Sequence, residues 1–143
     1  MSPRALLWPV VAMVALTFAV TVVMYRRRIA EIRAKRIRPQ SLASAVAMAT
    51  QLENTSAADN YRNLFESPVL FYAAAVVAYV IGAASPALVA LMWAYVALRV
   101  VHSVIHCTSN RVIRRFQAFG ASLAVLLAIW AVVAWNLAAG TGP

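Results

Sequence analysis

Val77-Ala78-Tyr79-Val80-Ile81-Gly82-Ala83-Ala84-Ser85-Pro86-Ala87-Leu88-Val89-Ala90-Leu91 is the stretch that decides the fold. It is apolar on both sides of one turn signal, Ala84-Ser85-Pro86, and proline ends one helix and opens the next. Crossing about 30 Å of hydrocarbon takes about 20 apolar residues in a helix. The apolar run reaches back to about Phe65 and forward to about His106, which makes spans of 65–84 and 86–106. With so short a connection the two form a tight antiparallel hairpin. Working outward, the same criterion gives a first span at about 6–25 and a fourth at about 116–137.

Composition agrees with that reading. Of 143 residues, 64% are hydrophobic and 12% charged, far from a water-soluble domain. The fold class expected is an all-α integral membrane protein, a four-transmembrane-helix bundle forming one domain over 1–143. Four glycines and six prolines supply too few turns for a β-rich fold. The single cysteine, Cys107, excludes an internal disulfide framework and any four-cysteine metal site.

The net charge of +9 raises the question of nucleic acid. The basic residues are instead segregated between apolar runs, which fits anionic headgroups and orientation in a bilayer, with no nucleic-acid partner. Seven of the 13 lie between Arg26 and Arg38, and Arg62, Arg111, Arg114 and Arg115 join them on one side. Arg4 stands alone on the other, and Arg99 lies inside a span. The positive-inside rule then puts the loop of about 26–62 in the cytoplasm and both termini outside it. The first span reads as a retained anchor, because its arginines follow the apolar run. Beyond the membrane its helix is expected to continue until Pro39, with 40–51 as a short surface helix. Asn54-Thr55-Ser56 matches a glycosylation sequon, but a cytoplasmic position makes the match chance. Ala74, Ala78 and Gly82, like Gly120, Ala124 and Ala128, recur every four residues, a spacing that lets membrane helices approach closely.

Ionisable residues within a span are costly and are functional candidates by default. At 100° per residue, Tyr95, Arg99, His102, His106 and Asn110 fall within about 60° on one helix face. Arg99 lies about 10 Å of helix from His106, too deep to reach the headgroups easily. It needs an anionic partner or a polar cleft, and Glu66 is the natural partner. On a continuous helix Arg62, Asn63 and Glu66 share a face, with Asp59 one turn earlier. The result is either a structural Arg–Glu pair or a cytoplasmic cleft for a small anionic ligand whose amino group meets Glu66. His102 and His106 stand four apart beside Cys107, as in helical metal pairs. Two histidines on one helix are too few for a membrane di-iron centre and badly placed for a haem, so no metal site is assigned.

Asn63-Leu-Phe-Glu66-Ser-Pro68-Val-Leu-Phe-Tyr72, Arg99-Val-Val-His102-Ser-Val-Ile-His106 and Asn110-Arg-Val-Ile-Arg-Arg115-Phe together resemble the MAPEG family, the membrane-associated proteins in eicosanoid and glutathione metabolism. The bacterial branch, with its Asn-x-x-Glu-x-Pro and Arg-x-x-His patterns, is the nearest in look. The resemblance implies a homotrimer in a bacterial inner membrane, binding glutathione as co-substrate between neighbouring subunits near the cytoplasmic face. It carries glutathione-binding roles onto Arg62, Asn63, Glu66, Arg99 and His102. Arg115 takes the role of placing or activating the thiol, and Arg33 stands for an ambiguous first-helix arginine. His106 occupies a third-span ligand position where relatives have tyrosine, as Phe119 does on the fourth span. Asp59 stands where some synthases have arginine, and Phe116 where a prostaglandin synthase has serine. Those departures argue against eicosanoid synthesis.

The activity implied is a glutathione transferase or peroxidase acting on a lipophilic electrophile or lipid hydroperoxide that enters from membrane lipid. A thiol of pKa about 8.5 is only a few per cent thiolate at pH 7, and a guanidinium beside the sulfur stabilises the reactive anion. Two alternatives stand beside it. One is a non-catalytic ligand-binding or scaffold protein of the same fold. The other is a small cation exporter using Glu66, which arginine and histidine in the site disfavour.

Overall fold

The computed structural model describes residues 2–140, so residue 1 and residues 141–143 of the expected domain lie outside the described residues. A 3₁₀ turn, Pro3–Leu6, buries Leu6 and leads into α1, Leu7–Ala34. Proline at the start of that turn loses nothing, since the first N–H groups of a helix have no acceptor inside it. α1 stops well short of Pro39. Arg36 takes the left-handed conformation (φ 52°), and the Ile37 N–H donates to the Ile32 carbonyl at 3.0 Å, closing the helix end as glycine more often does. An ion-pair clasp fixes the chain that follows. Glu31 accepts the backbone N–H of Glu53 (2.7 Å) and Asn54 (3.2 Å) and pairs with Lys35 at 2.8 Å. Lys35 also reaches Glu53 at 2.8 Å, and these two partners, Glu31 first, hold its ammonium above the ordinary lysine pKa.

The expected surface helix over 40–51 is split. Pro39–Leu42 forms a 3₁₀ turn, and α2 runs only over Ala45–Gln51. Ser44 causes the division: its backbone is extended and its hydroxyl accepts the Ala47 N–H at 3.1 Å, an N-cap that starts a new helix.

The second span departs most from expectation. It consists of two helices, α3 (Ser56–Asn63) and α4 (Ser67–Val80), joined by an irregular segment in which Glu66 has φ −96° and ψ −96°. Pro68 accounts for the break. Its nitrogen carries no N–H for the Leu64 carbonyl, and its ring would collide with that carbonyl if the helix ran on. The polar stripe expected of one continuous helix is therefore cut between Asn63 and Glu66, and α3 lies in what the sequence presents as loop.

α4 ends at Gly82 (φ 68°), where the Ala83 N–H bonds the Ala78 carbonyl at 2.9 Å. Gly82 thus belongs to the turn and not to a helix-packing stripe. Ser85 accepts the Leu88 N–H at 3.2 Å and, with Pro86 behind it, starts α5 over Pro86–Cys107. A four-residue turn leads to α6, Val112–Ala138.

Among the described residues four helical stretches are long and apolar enough to cross a membrane: Pro3–Ala34, Ser56–Val80, Pro86–Cys107 and Val112–Ala138. α5 and α6 pack along each other, α1 lies against α3 and α5, and α4 lies against α6 and the N-terminal turn. The core between them holds Leu6, Met13, Phe71, Met92, Tyr95 and Ile129, all essentially without solvent contact. Phe71 stacks on Tyr95 with centroids 4.7 Å apart, and Trp130 donates to the Leu70 carbonyl at 3.1 Å, tying α6 to α4. Ala74 and Ala78 are buried within the subunit, whereas Gly120 and Ala124 face outward.

Candidate functional site

The α5 periodicity puts Tyr95, Arg99, His102 and His106 on the side that packs against the other helices, and all four are buried. Tyr95 meets Ser67 of α4 at 3.3 Å. Arg99, fully buried, has one hydrogen bond among the described residues: its Nη2 donates to the Asn63 carbonyl at 2.9 Å. That carbonyl is free because of the helix break. In a continuous helix residue 67 would use it. Arg99 also lies over the Phe119 ring of α6, with its guanidinium carbon 5.5 Å from the centroid.

No carboxylate lies within 4 Å of Arg99 among the described ion pairs. Glu66 is exposed at the head of α4, so the expected Arg99–Glu66 pair does not form within the subunit. A buried guanidinium without a counter-ion costs several kcal/mol, on the order seen when one partner of a buried pair is removed.

Two histidines carry the polar face to the end of α5. His102 Nδ1 lies 3.1 Å from the Arg115 carbonyl, and His106 Nε2 lies 2.9 Å from Arg115 Nη1. These partners fix the protons. A carbonyl only accepts, so His102 carries a hydrogen on Nδ1, and in the neutral ring Nε2 presents a lone pair. A guanidinium only donates, so neutral His106 carries its hydrogen on Nδ1. The atoms left buried without a hydrogen-bond partner are Arg99 Nε and Nη1, His102 Nε2 and His106 Nδ1. The cluster therefore offers three donor atoms, one positive charge and one acceptor with nothing among the described residues to satisfy them.

Arg115 reaches this cluster from the first turn of α6. Its Nη1 also donates to Asn110 Oδ1 at 2.8 Å. Asn110 itself sits in the α5–α6 turn with φ 46°, its N–H bonded to the Ile105 carbonyl at 2.8 Å. It is off the helix face that the sequence assigned to it, yet bound to the same cluster. Arg111 and Arg114 are exposed, so the basic run is not three equivalent residues. Asn63, His102, Val112, Arg115, Phe116 and Phe119 line an open cavity of about 210 Å³ here.

The remaining sequence candidates lie elsewhere. Arg62 is exposed, 3.8 Å from Asp59, and lines a second cavity of about 260 Å³ between α1, α2 and α3. Arg33 is exposed and lines neither cavity. The first-helix arginines that turn inward are Arg28, on the wall of the second cavity, and Arg27, which bonds Ser56 Oγ at 3.4 Å and the Cys107 carbonyl. Asn60 of α3 joins the same helices: it donates to Cys107 Sγ at 3.5 Å and lies 3.4 Å from Ser103. Sequence reasoning missed Arg27 and Asn60. For Arg27 the signal was present, because Val20, Met24 and Arg27 fall at helical spacing on one inward side.

A four-span α-helical membrane protein, with an uncompensated cationic cluster sunk into one end of the bundle, is the class that fold and site define. The chain matches the MAPEG family over residues 6–135 and belongs to it. Comparisons with curated proteins and with solved structures return no match. Membership makes this an integral membrane protein of a family whose chemistry is, in general, glutathione-related.

Proposed function

We propose that this protein is a membrane-bound glutathione-dependent transferase or peroxidase acting on lipophilic electrophiles or lipid hydroperoxides, working as a homotrimer of one-domain subunits. The observation that carries the reading is the buried set on Arg99, His102 and His106, next to an open cavity walled by Arg115 and Asn63. Unsatisfied donors and a positive charge suit the carboxylate and amide oxygens of a small acidic peptide, and the His102 lone pair suits one of its N–H groups. Glu66, exposed at the break, is free to meet an amino group. Arg62 stands at the neighbouring cavity. Arg33, exposed on α1, is available to the pocket of an adjoining subunit.

Arg115 is the candidate catalytic residue. Its guanidinium stabilises the thiolate after the S–H proton passes to water. In transfer, the sulfur lone pair forms a C–S bond as the electrophile's leaving group, or the epoxide oxygen, departs with its electrons. In peroxide reduction it forms an S–O bond as the O–O bond breaks. The alkoxide takes a proton, and a second thiol then displaces hydroxide from the sulfenic acid to give the disulfide, the hydroxide leaving as water. The trimer is supported by the outward Gly120–Ala124 stripe on α6 and by the absence of a counter-ion for Arg99 among the described residues. The eleven-to-one distribution of basic residues supports a cytoplasmic loop and outer termini.

The experiment is glutathione binding to detergent-purified protein, with ultraviolet absorbance of bound thiolate followed against pH. Binding with a thiolate band at neutral pH is expected. A non-catalytic ligand-binding protein is the second reading. It is favoured by Phe116, exposed at 74% beside Arg115, which presents hydrocarbon where a thiol-activating hydroxyl could stand. Binding without the band decides for it, and no binding overturns both.

A further inference from the structure

Arg115 is not merely near the cavity. Both hydrogens of its Nη1 are taken, one by His106 Nε2 at 2.9 Å and one by Asn110 Oδ1 at 2.8 Å. The two acceptors come from different structures, one from the last turn of α5 and one from the turn that follows it. A guanidinium is a planar fork, so fixing one nitrogen against two acceptors fixes the orientation of the whole plane. Its Nε and Nη2 make no hydrogen bond among the described residues and remain for a ligand. The arrangement is also selective: Arg114, one residue earlier, is exposed and makes no side-chain hydrogen bond among the described residues.

Both acceptors are in unusual states that the bond to Arg115 explains. His106 must be neutral and hydrogenated on Nδ1, leaving that N–H buried without a partner among the described residues. Asn110 holds a left-handed backbone conformation, φ 46°, at a helix end where glycine would be the unstrained choice. Glycine, however, has no side-chain oxygen. Asparagine tolerates the backbone and supplies the acceptor.

We propose that His106 and Asn110 are positioning residues that clamp Arg115, so that one guanidinium nitrogen is spent on the protein and the opposite edge is presented to the sulfur of the bound thiol. The inference rests on the thiolate reading of Arg115 and assigns to two further residues the task of aiming it. Neither residue touches the thiol in this scheme.

The test is the ultraviolet thiolate titration of bound glutathione in the full-length protein, in detergent, for the parent and for four variants. Arg115→Ala is the reference for complete loss. His106→Leu removes one acceptor, and Asn110→Gly removes the other while keeping the left-handed turn. His106→Gln restores an amide oxygen close to Nε2. The expected result is that His106→Leu and Asn110→Gly each raise the apparent thiol pKa by up to about one unit, a tenfold loss of thiolate near neutral pH. His106→Gln should recover most of the thiolate, and in Asn110→Gly, which leaves the buried binding set intact, glutathione affinity should change less than the thiol pKa does.

If His106→Leu does not fold, the Asn110→Gly titration carries the same test from a surface turn. Titration like the parent's in Asn110→Gly and any folded His106 variant, with the band lost only in Arg115→Ala, overturns the clamp and leaves the thiolate reading standing. A parent protein with no thiolate band overturns that reading, and this one with it.

Discussion

The turns at the two ends of α5 each combine a left-handed residue with a backbone bond reaching back five residues, and they use it to opposite ends. At the α4–α5 turn, Gly82 takes φ 68° and the next N–H reaches back five residues to Ala78. At the α5–α6 turn, Asn110 takes φ 46° and its own N–H reaches back five residues to Ile105. The first turn is then completed for stability: glycine carries no strain, Ser85 caps α5 and Pro86 begins it. The second is not. Arg111 occupies the N-cap of α6 without a side-chain cap bond, and the asparagine that bears the strained conformation turns its oxygen to Arg115. Local rules are satisfied at one end of α5 and violated at the other, and the violations coincide with the candidate site.

Four measurements would break or sharpen that contrast. The largest effect expected is Arg115→Ala, which should lower glutathione affinity or thiolate content about tenfold or more, since charge-assisted bonds are worth about 1.5–3 kcal/mol. Arg111→Ala and Arg114→Ala should each stay within about twofold, as exposed charges do. Equal responses from the three arginines, read by calorimetry or absorbance, would remove the distinction between the turns. Next comes Gly82→Ala, which forces a Cβ into the left-handed region and should cost roughly 1–2 kcal/mol in stability with ligand affinity unchanged. Ser85→Ala should cost about 1 kcal/mol through loss of the cap, again without touching binding. Smallest in stability is Asn110→Gly, where relief of backbone strain offsets the lost hydrogen bond to within about 1 kcal/mol. Thermal unfolding in one detergent for all three turn variants compares them directly. A large loss of stability in Asn110→Gly would mean that the second turn is built for stability after all.

Much of the fold is legible in the sequence, because membrane spans are set by length and hydropathy. The third span, expected over 86–106, is α5 over Pro86–Cys107, and the turn at Ala84-Ser85-Pro86 lies where proline demands. The polar face of α5 follows from helical period alone, which is why Arg99, His102 and His106 could be grouped. Residues that depend on what another helix does were less legible. Pro68 acts four residues upstream, at Leu64, so Arg62 and Glu66, four apart in sequence, do not share a turn of one helix. Arg115 differs from Arg114 only in what lies across the turn, and no pattern within α6 reveals that. Arg99's partner proved to be a backbone carbonyl, which every residue owns and no composition can point to.

The break at Leu64–Glu66 has a consequence for where the bilayer starts. Backbone outside a helix is tolerated at membrane depth only where protein covers it or water reaches it, because lipid offers no hydrogen bonds. Here protein supplies part of that cover, since Leu64 is buried and Arg99 donates to the Asn63 carbonyl, so the break marks a line along which protein and water take the place of lipid around the backbone. The cavity at Asn63 and Arg115 opens at that line. Under the proposed function, that opening is where a water-soluble thiol and a reactant dissolved in the leaflet would meet, neither crossing into the other's solvent.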